Sequence, residues 1–131
     1  MIRIAAMVAT LSLSSCAFSS PNPANLGPVQ ADSLIQAQKG TKSTFHLIDI
    51  RTPDEYGVGH LKGAVLLDFY AQDFKTKLAS LPREEKILIY CRSGHRSGLA
   101  LQTMKEMGFL DVHDIAGGIN AWRSLGLPLE P

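Results

Sequence analysis

The sequence predicts an α/β fold in which a central parallel sheet carries helices on both faces. Three observations lead there. Short apolar runs alternate with helical patterns from about Gln30 to the C-terminus. One run, Ile87-Leu-Ile-Tyr90, is apolar at consecutive positions, as a strand buried on both faces requires. Glycine or proline closes most of the helical patterns. Parallel strands need crossover connections, and the intervening helices supply them.

The elements follow in order. Asp32 is placed as the cap of a short helix through Lys39, with Gly40 as its stop. Phe45–Ile50 is a strand, with Leu47, Ile48 and Ile50 supplying apolar side chains. Thr52-Pro-Asp-Glu55 combines a cap, a proline at the first helical position and a glutamate three residues after the cap, so a helix starts there. Val65–Leu67 is a second short strand. Phe74, Leu78 and Leu81 recur at helical spacing, which makes Asp73–Leu81 an amphipathic helix closed by Pro82. The strand Ile87–Tyr90 leads to a helix over Ser97–Met107, with Ala100, Met104 and Met107 on one face and Gly108 as its stop. Val112–Ile115 is a further strand, and Asn120–Leu125 a last helix ended by Gly126 and Pro128.

The N-terminus has a different character. Met1-Ile-Arg3 is a short positive start, followed by an apolar stretch over Ile4–Leu13 that is too short to span a bilayer and fits the core of a signal peptide. Leu13-Ser-Ser-Cys16 is similar to the lipobox of bacterial lipoproteins, in which Cys16 is lipidated and becomes the first residue. Ala17-Phe-Ser19 offers an ordinary signal-peptidase site as the alternative. The expected organisation is a signal peptide over 1–15, a flexible tether over 16–29 and one domain over 30–131. The tether rests on the prolines, asparagines, serines and glycine between Ser19 and Pro28. The expected location is outside the cytoplasm, as a periplasmic or outer-membrane-anchored lipoprotein, with membrane contact only through the N-terminal lipid.

Composition bounds the partners. The chain has 131 residues, of which 19% are charged and 45% hydrophobic, ordinary values for a globular domain. Its 13 Lys and Arg stand against 12 Asp and Glu; cleavage before Cys16 removes only Arg3 and leaves the two signs equal. That balance gives no footing for nucleic acid, so any attraction for anions is local. No His, Cys, Asp or Glu spacing suits a metal, and no cofactor is expected.

Of the two cysteines, Cys16 belongs to the export signal. Cys91 is then the lone thiol of the mature domain, which excludes an internal cystine. It ends the apolar strand and opens the loop Cys91-Arg92-Ser93-Gly94-His95-Arg96, which runs through Ser97 into a helix. A strand that delivers a thiol to a helix N-terminus surrounds the sulfur with backbone N–H groups. Such a setting favours the thiolate and an adjacent anion. Ligands of parallel sheets bind beyond the carboxyl ends of the strands, where Cys91 lies.

Three segments together resemble the single-domain form of the rhodanese (sulfurtransferase) family. They are Leu47-Ile-Asp49-Ile-Arg51-Thr-Pro-Asp-Glu55-Tyr56 continuing through Gly59-His60-Leu61-Lys62-Gly63-Ala64, the loop Cys91–Ser97, and Gly117-Gly118-Ile-Asn-Ala-Trp122. The resemblance implies a thiosulfate sulfurtransferase that works through a Cys91 persulfide. The sulfur comes from thiosulfate or a similar donor and passes to a thiophilic acceptor such as cyanide, a small thiol or a thiol protein. Cys91 is the implied nucleophile. Arg96 matches the basic position lining the anion pocket, and Arg92 either joins it or serves docking. Ser93 and His95 are expected to act through backbone N–H groups, and Gly94 to permit an unusual backbone angle. Ser97 either caps the helix or donates to the sulfur. Asp49 and Arg51 reach the same crevice and are expected to form an ion pair that orders loops. His60 and Trp122 are expected to be structural, while His46 and His113 have no partner visible in the sequence.

Other chemistries compete with this reading. Phosphate- and arsenate-transferring thiol loops place five residues between cysteine and arginine, whereas four separate Cys91 from Arg96. A persulfide carrier or adaptor that acts only on a protein partner has the same sequence as an enzyme. A redox role needs a second thiol from elsewhere, because the mature chain supplies no resolving cysteine.

Overall fold

The computed structural model of the chain describes residues 23–131. The expected signal peptide, the Cys16 lipidation site and the tether up to residue 22 lie outside the described residues. Five strands, β1 (Asn25–Leu26), β2 (Phe45–Asp49), β3 (Val65–Leu66), β4 (Lys86–Tyr90) and β5 (Val112–Ile115), form one parallel sheet in the order β1-β5-β4-β2-β3. Between and after them run α1 (Pro28–Gln38), α2 (Pro53–Val58), α3 (Phe74–Ala79), α4 (His95–Glu106) and α5 (Gly118–Ser124). The predicted α/β architecture with helices on both faces is the one observed.

Strand alternation sorts the core into two layers. Ile87, Ile89 and Cys91 point to one face, where Phe74 and Leu78 of α3 and Ala100 and Met104 of α4 cover them. Leu88 and Tyr90 point to the other, against Ala31 of α1 and Ile119 and Trp122 of α5. Side chains of this size, wholly buried from Ile87 to Tyr90, each contribute about 1.5–3 kcal/mol of apolar transfer energy. Trp122 is buried, as expected, and its indole N–H donates to the Pro128 carbonyl.

The sheet order fixes where a site belongs. From β2 the chain crosses to β3 on one side, whereas from β4 it crosses to β5 on the other. The connections diverge between neighbouring β2 and β4, which opens a crevice beyond their carboxyl ends. Arg51 and Cys91 stand at that crevice.

Several boundaries differ from the sequence reading. Residues 25–29, expected as tether, belong to the fold: Asn25 and Leu26 pair with Asp114 and Ile115. Helix α1 starts at Pro28 rather than after Asp32, because proline at the first helical position has no N–H to leave unpaired. The Gln30 side chain accepts from the Gly27 N–H at its start, and Asp32 sits inside the helix, accepting from Gln36. Helices α4 and α5 each begin two residues early, after Gly94 and Gly117, whose left-handed backbones make the turn.

The histidines have partners the sequence did not reveal. His46 pairs with Glu85. The His113 ring lies between the Asp111 carboxylate, 2.7 Å away, and the Pro23 carbonyl, 2.9 Å away. His60 stacks on Tyr56, with ring centroids 3.7 Å apart, and faces Glu130 at 3.3 Å, which supports its structural role.

Candidate active site

Strand β4 leads into Cys91, whose side chain is buried, and the chain turns at Gly94 (φ +97°) to enter α4. That turn directs two backbone N–H groups at the sulfur: Gly94 N lies 3.1 Å and Ser97 N 3.4 Å from Cys91 Sγ. The thiol in turn lies 3.5 Å from the Ser97 hydroxyl, which accepts its hydrogen. The N–H groups of His95 and Arg96, in the first turn of α4, have no intrahelical acceptor and complete an electropositive helix start. Ser93 and His95 are the residues expected to act through their backbone N–H groups. The direct N–H contacts on the sulfur come from Gly94 and Ser97. Ser97 is the third residue of α4 and does not cap it; it faces the sulfur.

The loop is held from its outer side. The N–H groups of Ile119 and Asn120 donate to the carbonyls of Cys91 (2.9 Å) and Arg92 (3.1 Å). With those carbonyls drawn outward to α5, the following N–H groups are free to face the sulfur. The contact is so close that a Cβ on Gly118, itself at φ +59°, would lie 2.4 Å from the Cys91 carbonyl oxygen. That contact requires glycine at 118, while a Cβ on Gly117 would lie 2.7 Å from the Ala121 Cβ.

Asp114 is a component the sequence reading missed. Its carboxylate, buried in β5, accepts from the Ser97 hydroxyl at 3.0 Å and from the Asn25 amide at 2.8 Å. It thus orients the hydroxyl that touches Cys91. The available signal was an acidic residue inside the fully buried strand Val112–Ile115, which needs a polar partner to be there at all.

Arg96 differs from its expected position. Its guanidinium forms two parallel hydrogen bonds with Glu55, 2.9 and 2.8 Å, and lies over the Tyr70 ring. It is therefore not a free lining group of the anion pocket. The Arg96 hydrogen bonds hold the Glu55 carboxyl down at about 2, against the opposing effect of burial and with help from Thr52. Glu55 in turn raises the Arg96 pKa. The cation thereby remains beside Cys91 as a fixed charge.

Asp49 and Arg51 form the expected ion pair, both buried, at 2.6 Å. Burial opposes the Arg51 charge, but Asp49 outweighs it and the Arg51 pKa is raised. Tyr90 donates to Asp49 at 2.7 Å and accepts from the Leu61 N–H at 3.1 Å. Burial, then the charge and hydrogen bond of Asp49, raise the Tyr90 pKa and keep the phenol protonated. Arg51 also donates to the Gly59 carbonyl, so this cluster fixes the loops around the crevice. Arg92 is exposed and points to no carboxylate among the described residues.

The chain is similar to known proteins. Residues 30–125 match the model of the rhodanese-like domain. A sulfurtransferase from Allochromatium vinosum is 34% identical over 101 residues, which cover 77% of this chain and 92% of that protein. The chain is also 36% identical over 107 residues to the Mycobacterium tuberculosis protein named as an adenylyltransferase/sulfurtransferase, MoeZ; the match takes in 72% of this chain but 27% of that relative's length. Among solved structures, a rhodanese-related protein from Thermoplasma volcanium superposes with a TM-score of 0.68 at 24% identity, covering 81% of this chain and 96% of that one. With a family match over most of its length and a parallel sheet of the same fold, this chain belongs to the rhodanese-like domain family.

Proposed function

We propose that the chain moves sulfane sulfur from thiosulfate, or a similar donor, to a thiophilic acceptor through a persulfide on Cys91. The observation that carries this reading is the pair of N–H contacts on Cys91 Sγ at the start of α4, with the Ser97 hydroxyl beside them. The Cys91 thiolate attacks the outer sulfur of thiosulfate; a new S–S bond forms, the old one breaks, and sulfite leaves with the electron pair. The acceptor then attacks the outer sulfur of Cys91-S-SH, and the cysteine departs as the thiolate it was before. Cyanide as acceptor yields thiocyanate. The first-turn N–H groups of α4 and the fixed Arg96 cation stabilise negative charge on the sulfur in both steps without rearranging.

Phosphate transfer fits less well. Gly94 N and Ser97 N converge on the sulfur atom itself and leave the short loop little room for a tetrahedral oxyanion. We place the domain outside the cytoplasm, attached through a lipidated Cys16; export and lipidation are tested by labelling the protein with a radioactive fatty acid and by replacing Cys16.

The test of sulfur transfer is thiocyanate formation from thiosulfate and cyanide, with Cys91→Ser beside the natural chain. Turnover that vanishes in Cys91→Ser is the expected result. A folded chain with reduced Cys91 and no turnover would favour a persulfide carrier that serves a protein partner.

A further inference from the structure

A second feature lies outside the cysteine loop. A notch of about 190 Å³ is lined by Arg51, Glu55, Val58, Arg92 and Arg123. Two of its charges are already matched inside the fold: Arg51 by Asp49, and Glu55 by Arg96. Arg92 and Arg123 form no ion pair among the described residues. A chain with a net charge of only +1 thus places two uncompensated cations in one notch, one of them the residue that follows Cys91.

Arg51 gives the notch a built floor. The side chain is 2% exposed, and its bonds to Asp49 and the Gly59 carbonyl use Nε and Nη2. Nη1 donates to no described residue, although the guanidinium borders the notch. That nitrogen is not sealed from solvent, so within the notch it is open to an oxygen from outside. Arg123 reaches over Gly59 towards the same place, its Nη2 being 3.7 Å from where a Gly59 Cβ would stand.

The remaining walls narrow the choice of ligand. Both Glu55 oxygens already accept, one from Arg96 and the other from Arg96 and Thr52, which leaves little for an ammonium group. Val58, 80% exposed, offers an aliphatic wall suited to a short methylene chain. The donor's sulfur is served by the loop N–H groups. We infer that the notch formed by Arg51, Arg92 and Arg123 binds the carboxylate of a small thiol, the sulfur acceptor, and so orients its sulfur towards Cys91. The acceptor role rests on the sulfur-transfer reading above; the carboxylate site does not.

The test uses Arg123→Gln and Arg123→Lys in the full chain, with two readouts. The first needs no turnover: the rate of Cys91 alkylation by iodoacetate relative to iodoacetamide. The ratio falls about tenfold in Arg123→Gln, the scale of one lost charge-assisted bond, and partly recovers in Arg123→Lys. The second is sulfite release from thiosulfate with 3-mercaptopropionate or 2-mercaptoethanol as acceptor. The KM for 3-mercaptopropionate rises about tenfold in Arg123→Gln, whereas that for 2-mercaptoethanol moves less than about twofold. An unchanged alkylation ratio, or an equal change for both thiols, would overturn the site. A shift confined to the KM of thiosulfate would overturn its assignment to the acceptor. If the natural chain releases no sulfite and the alkylation ratio still responds to Arg123, sulfur transfer fails as a reading and the carboxylate site stands.

Discussion

Replacing Glu55 by glutamine removes one charge from a pair that joins α2 to α4 across 41 residues of sequence. The folded carboxyl titrates at about 2 against an ordinary value of 4.5, and the first cause is its hydrogen bonding to Arg96. A folded-state pKa below the unfolded one means that the group stabilises the fold above the unfolded value and loses that contribution as pH falls through the folded one. The side chains of Arg96 and Glu55 are 13% and 27% exposed, so solvent screens the pair only in part. After that allowance the displacement corresponds to about 2–3 kcal/mol at neutral pH. The contribution is nearly constant above about pH 5, half lost near pH ~3.3 and gone below about pH 2. Urea unfolding of the natural chain and Glu55→Gln at several pH values measures it. The two stabilities should differ most at pH 7 and converge as the solution is acidified. Parallel curves between pH 7 and 3 would show that the pair contributes no differential protonation, and the electrostatic account of how Arg96 is held would be wrong.

Further substitutions test the frame around the sulfur. Gly118→Ala drives a methyl into the Cys91 and Arg92 carbonyls, whereas Gly126→Ala, at a similar φ of +67°, meets nothing within 4 Å. The second should cost about 1–2 kcal/mol, the left-handed penalty alone, and the first should cost more and abolish most turnover; equal denaturation midpoints would contradict the close contact. Asp114→Ala leaves the Ser97 hydroxyl only the more distant Gly94 carbonyl, 3.3 Å away, and takes its acceptor from the exposed Asn25 amide, so the cost should be about 1–2 kcal/mol; chemical denaturation reads the loss, and Asp114→Asn should restore part of it. Tyr90→Phe strips a donor from Asp49 and the acceptor from Leu61 N–H, at a similar cost of about 1–3 kcal/mol. Because Tyr90 and Cys91 point to opposite faces of the sheet, its rate of thiocyanate formation per folded molecule should stay within about twofold.

Local chemistry made much of this molecule legible. The buried strand Lys86–Tyr90, the cap formed by Thr52 and Glu55 and the turn at Gly94 each depend on a few consecutive residues, and each appeared where the pattern placed it. Helix starts were less readable, since Pro28 with Gln30 makes a start that competes with the more familiar signal of Asp32. Pairings between distant segments left no local trace. Glu55 reads as a complete capping residue from its own neighbourhood, and nothing there reveals that its carboxylate also holds Arg96. Asp114 meets Ser97 only because β5 lies beside β4, and Asn25 joins them only because the sheet extends to an edge strand inside a proline-rich segment. Tertiary proximity, rather than residue type, turned these into parts of the site.

That edge strand has a mechanical consequence. Any tension on the chain ahead of residue 23 enters the sheet at Asn25 and Leu26, which lie parallel to β5, so the load shears the strands along their length. The first grips it meets are the His113 ring on the Pro23 carbonyl, the Asp114 N–H on the Ala24 carbonyl and the Asn25 amide on the Asp114 carboxylate. The other oxygen of that carboxylate holds the Ser97 hydroxyl, and the hydroxyl touches the sulfur. A protein fixed to a surface by its N-terminus is therefore gripped three hydrogen bonds from the Cys91 sulfur, whereas fixation by the C-terminus pulls on the bridge between His60 and Glu130 instead.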